Sequence, residues 1–187
     1  MRHARADFGN LQGANLQEAN LQGADLQEAN LQKADLQGAN LRGADLVDAT
    51  LTEADLTHAD LTEADLRDVR AIATIFTEAM LIRANLDRAD LTGALLLNAH
   101  LVDADLEGAT LRNATLSGAD CTGADLPYAD LEGANLTAAD LEGADLTDAS
   151  VIAATTKVGR SQAAANERRA ESSCAAAAKE RAGESGA

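Results

Sequence analysis

A large aliphatic residue recurs at every fifth position from Leu11 to Val151, and the register never slips. Five is neither the period of a helix, about 3.6, nor that of a strand, 2. Number each repeat from this residue, i. Of its 29 positions 25 are Leu, and the exceptions are Ala71, Phe76, Cys121 and Val151. Position i−2 is Ala in 26, failing at Gly9, Val69 and Thr74, and position i−1 is Asp or Asn in 20.

Ala and Leu two residues apart share one side of an extended segment, and the polar residue between them faces away. Because five is odd, a strand that continued straight would turn the next Leu outward. The chain therefore has to bend once per repeat, at i+1 and i+2. Gly is frequent at i+2 (13, 23, 38, 43, 93, 108, 118, 123, 133 and 143), as suits corners that permit positive φ. A chain that bends the same way every five residues closes into a coil, and stacked coils share one core. Three or four sides per coil would both keep Leu inside.

The motif Ala-(Asp/Asn)-Leu-x-x over residues 9–156 resembles the pentapeptide-repeat family. The resemblance implies an all-β fold, a right-handed quadrilateral parallel β-helix with four repeats per coil. Twenty-nine repeats then make about seven coils, a rod roughly 35 Å long at about 4.8 Å per coil. Residues 1–8 read as an N-terminal cap in which Phe8 closes the first coil. Residues 157–187 are Ala-rich with mixed charge and read as a C-terminal helix or partly disordered tail.

With no Trp, one Tyr and two Phe, the core has to be Leu and Ala. The net charge of −16 and the absence of a basic cluster argue against direct binding to DNA or RNA. They favour a basic protein partner, or a protein site that normally holds nucleic acid. Two cysteines, Cys121 and Cys174, make no disulfide framework. No apolar run at the start reads as a signal peptide, and none elsewhere reaches the roughly 20 residues of a membrane span. The expectation is a cytoplasmic protein with no membrane contact.

Signals of function belong where the chain departs from its own rule. Ala71 is small at i and Phe76, the next such residue, is large, so that Phe76 fills the space Ala71 leaves. Outward apolar residues replace polar ones at i−1 (Ile75, Met80 and Leu95) and at i+1 (Ile72, Ile82, Leu97 and Val102). On a four-sided coil, residues 20 apart stack. Ile75 then meets Leu95, Ile82 meets Val102 and Met80 meets His100, which gathers a mid-rod patch fit for a partner or a homodimer. The same stacking aligns Asp25, Asp45, Asp65, Asn85, Asp105, Asp125 and Asp145 in an acidic column on one side. Asp at i−1 also has an architectural reading, as an acceptor for turn amides.

Catalysis needs converging groups of different kinds. His3, His58 and His100 are scattered, Cys121 stands in a Leu position, and the glycines are turn punctuation. The reading is a non-enzymatic, rod-shaped protein-interaction module, with no cofactor and no metal. The alternatives are a DNA-mimicking modulator of DNA gyrase or another type II topoisomerase, and a structural dimerisation element.

Overall fold

The structure is a computed structural model and describes residues 9–155. The cap expected at 1–8 and the tail expected at 157–187 lie outside the described residues.

Parallel bridges join i−1 residues that are 20 apart, from Asn10↔Asn30 to Asn135↔Thr155, with no exception among 26. Twenty residues per coil at five per repeat makes four sides, which settles what the period left open. Side 1 carries Asn10, Asn30, Thr50 and Arg70 onward; side 2 starts at Asn15, side 3 at Asn20 and side 4 at Asp25. Sides 2 and 4 are opposite.

Each corner is a β-turn. The Ala amide donates to the Leu carbonyl three residues back, as in Ala14 N–H to Leu11 O at 2.9 Å. Position i+2 has positive φ at all 29 corners, 10 of them Gly and 19 not. That is the type II pattern, with a left-handed second central residue. Each non-Gly corner costs about 1 kcal/mol or more, which the ladder and core must offset. At Gly118 (φ +69°) a second reason for glycine applies: an added Cβ would lie 2.3 Å from Asn98 Oδ1, which leans over it from the neighbouring coil.

The regular repeat uses all five of its N–H groups, as residues 84–88 illustrate. Ala84 donates to Leu81 O (3.1 Å), Asn85 to Ala64 O (2.9 Å), Leu86 to Asp105 O (2.7 Å) and Arg88 to Glu107 O (2.9 Å). The fifth, Asp87 N–H, donates to Asn85 Oδ1 at 3.0 Å. Asp and Asn dominate i−1 because this amide, caught in the turn, has no main-chain acceptor.

The core is a continuous file of Leu and Ala, nearly all fully buried from Leu26 to Leu131. Leu11, Leu16 and Leu21 of the first coil are only partly covered. Ala71 and Phe76 are both wholly buried in one coil, beside the two enlarged i−2 residues, Val69 and Thr74. Val69 supplies bulk next to the small Ala71. The Thr74 hydroxyl, which an apolar core would otherwise strand, donates to Leu51 O at 2.7 Å. Cys121 is buried as a Leu substitute, and burial pushes its thiol up to about 12, with Asp120 and Asp140 adding to the shift.

Candidate functional site: two opposed sides of the rod

The apolar patch assembles as its spacing requires. Ile75 bridges to Leu95, and Met80 to His100. Ile82 and Val102 occupy one corner column, and Arg83 N–H donates to Val102 O at 2.9 Å. Leu95 and Leu97 are the most open members, 42% and 41% exposed. His100 is exposed too, whereas Ile72, Ile75, Met80, Ile82 and Val102 are half-buried. The open apolar part of the patch thus lies on side 2 and the corner after it, with His100 exposed on side 3. Tyr128 (62%) and Ile152 (58%) are also exposed, at corners away from the patch; Tyr128 follows Pro127, which has no N–H for Asp125 to accept.

The main chain changes wherever i−1 is not Asp or Asn, at the patch and also at Thr52, Arg112, Ser117 and Ile152, whose amides have no acceptor among the described residues. Of the 20 Asp or Asn residues at i−1, 19 accept the amide of i+1; the twentieth is Asp125. Ile75, Met80, Leu95 and His100 offer no such acceptor. The N–H groups of Thr77, Ile82, Leu97 and Val102 accordingly have no acceptor among the described residues. Below the patch, the buried hydroxyls of Thr52 and Thr62 lack a partner. Each sits one coil beneath an outward isoleucine, Ile72 or Ile82. Each swap of a capping Asp or Asn for an apolar residue removes the corner bond, at a cost to stability.

Side 4 is the reverse. Asp25, Asp45, Asp65, Asn85, Asp105, Asp125 and Asp145 bridge in one unbroken column. Arginine relieves its middle. The Arg67 guanidinium donates to Asp65 at 2.8 and 2.6 Å and holds that carboxyl below its ordinary range. Arg88 bridges to both Asp68 oxygens at 2.9 Å, with the same effect on Asp68. Beyond Arg112 the described chain carries Asp and Glu and no Lys or Arg. Other cations form corner pairs with acids one coil away: Lys33 with Glu53 at 3.4 Å, and Arg83 with Glu63. On side 2, burial alone would raise the Asp55 carboxyl, but hydrogen bonds from Thr57 and Gln37 outweigh it and hold it low.

The stacking of the named residues follows from their spacing. Sequence reasoning missed the unpaired amides, although the absence of Asp or Asn at i−1 was their signal.

No curated protein matches this sequence. Among solved structures, the chain is similar to HetL of the cyanobacterium Nostoc sp. strain PCC 7120, a pentapeptide repeat protein involved in heterocyst differentiation regulation. The two share 30% identity over 82% of this chain and 86% of that one, with a TM-score of 0.53. It is also similar to a trypsin-treated form of QnrB1, a plasmid-mediated fluoroquinolone resistance protein, at 19% identity over 81% and 86% with a TM-score of 0.60; at that identity the likeness shows the fold alone. The family model described as Pentapeptide repeats matches in eight copies over residues 9–48, 29–68, 60–98, 74–113 and 114–150. With its four-sided coil, its bonded corners and this match, the chain belongs to the pentapeptide-repeat family and folds as a right-handed quadrilateral β-helix.

Proposed function

We propose that the chain is a non-enzymatic interaction rod that presents side 4 to a basic surface of a protein partner. The observation that carries this reading is its concentrated, ordered charge. Residues 9–155 hold 26 acidic and 7 basic side chains, a net of −19. Those charges stand on a frame whose amides are mostly bonded, so little conformational entropy is lost on docking. The test uses Asp45→Asn, Asp105→Asn and Asp125→Asn together. At 45 and 105 Asn keeps the acceptor that the corner amide needs, and at 125 Pro127 has no amide to bond, so the fold survives while the column loses charge. Partners cross-linked to the wild type should be lost with this variant and with added salt. Equal capture by both proteins would refute the reading.

A narrower version has its own support. Spread over roughly 35 Å, the net charge comes to about one per 1.8 Å, close to the value of about 1.7 Å for duplex DNA. The partner would then be a protein that normally holds a duplex, such as DNA gyrase or another type II topoisomerase. In a supercoiling assay with purified gyrase, micromolar protein should inhibit the enzyme or protect it from a quinolone. No effect at that concentration would remove this version and leave the broader one standing.

A further inference from the structure

We propose that a strip on side 2 with a single charged side chain is a docking surface for a second copy of this chain. The strip runs from Ile75 through Leu95, Thr115 and Asn135, with Leu97 and Ser117 along the following corner. Its outward positions from Ile75 to Ala138 include one charged side chain, Glu78, whose carboxylate lies 3.4 Å from the His58 ring. It is directly opposite the acidic column.

Charge selects the occupant. A basic partner is drawn to side 4, not to this strip. Another copy of this acidic rod is repelled almost everywhere else. Two copies joined side 2 to side 2 place their acidic columns on the two outermost surfaces, as far apart as the rods allow. The strip also contains the two most exposed leucines of the patch, and beside them the Thr77 and Leu97 amides that have no acceptor among the described residues. Burying Leu95 and Leu97 against a second copy gains apolar contact that a lone rod lacks. At roughly 19 Å by 10–15 Å the strip is smaller than a standard interface, so the dimer is weak and reversible. This surface is separate from side 4, and its failure would leave the proposed function untouched.

The test needs no ligand: sedimentation velocity of the full chain up to about 0.5 mM, a range suited to weak association, at low and high salt. The wild type should approach twice the monomer mass, and more so at high salt, because screening removes the repulsion between like-charged rods. The variant Ile75→Asn, Leu95→Asn, Leu97→Thr restores what other repeats carry at these positions and supplies the missing acceptors. It should keep the wild-type far-UV spectrum and melt no lower, yet stay monomeric. A charge control, Asp105→Asn with Asp125→Asn, should still dimerise. As a second readout in a Cys174→Ser background, Ser117→Cys should cross-link between copies while Glu107→Cys, on the far corner, should not. A wild type monomeric throughout, a strip variant that dimerises equally, a dimer weakened by salt, or equal cross-linking at both cysteines would each overturn the proposal.

Discussion

The Asp90 carboxylate accepts two hydrogen bonds from Thr92, from its N–H at 3.1 Å and from its hydroxyl at 2.7 Å. Asp55, Asp120 and Asp145 hold Thr57, Thr122 and Thr147 in the same way. The polar residue that separates Ala from Leu is thus part of the corner.

Replacing Asp90 with Ala removes both bonds and leaves the Thr92 amide without its acceptor. The expected loss is about 1–2 kcal/mol, against a few tenths for Asp90→Asn, which keeps the main-chain bond. Urea unfolding of the two variants checks the order; equal losses would show that charge, and not the corner acceptor, is what matters at i−1.

Ala71 and Phe76 should be energetically coupled, because they share one coil of a tightly filled core. Ala71→Leu with Phe76 in place overpacks the coil and is expected to cost about 1–3 kcal/mol. Adding Phe76→Leu returns both positions to the common residue, and the double variant should be more stable than Ala71→Leu alone. Strictly additive losses would mean that the two side chains do not compete for space.

The Asp68–Arg88 pair has a pH signature. The Asp68 carboxyl titrates below its ordinary value because Arg88 bonds it, so its folded pKa is lower than its unfolded one. Its contribution is complete above about pH 4, where the unfolded carboxylate is ionised, and fades as pH falls through the lower folded value. Melting temperatures followed downward from pH 5 should therefore fall less steeply for Arg88→Gln than for the wild type. Parallel curves would show that the pair adds nothing.

Cys121 should be inert in the folded protein. Its thiol is buried and pushed up to about 12, so little thiolate exists at neutral pH and a reagent cannot reach it. In a Cys174→Ser background, labelling by an aromatic disulfide should wait for opening of the coils and rise steeply through the denaturation midpoint. Rapid labelling under native conditions would contradict the packing around this position.

Much of the architecture was legible because it is written 29 times. Leu86 points inward for the same local reason as Leu46, so no single exception disturbs the reading. The patch members were legible as deviations, since Ile75 and Leu95 stand where Asp or Asn is the rule. Their exposure was not. Leu95 and Leu97 stand open while Ile82 and Val102 are half-covered, and that difference depends on how neighbouring coils overlap. Nor did composition reveal that 19 non-glycine residues take a left-handed corner, since only the bonded ladder compels them to.

The sequence by itself determined the bend, the inward file of Leu and Ala and the outward rows of Asp and Asn, because odd spacing and side-chain alternation act within a single repeat. The tertiary structure alone decided that the coil has four sides. That follows from pairing between residues 20 apart, which no five-residue segment contains. By fixing that number it also decided that the acidic column and the apolar strip stand on opposite sides of the rod.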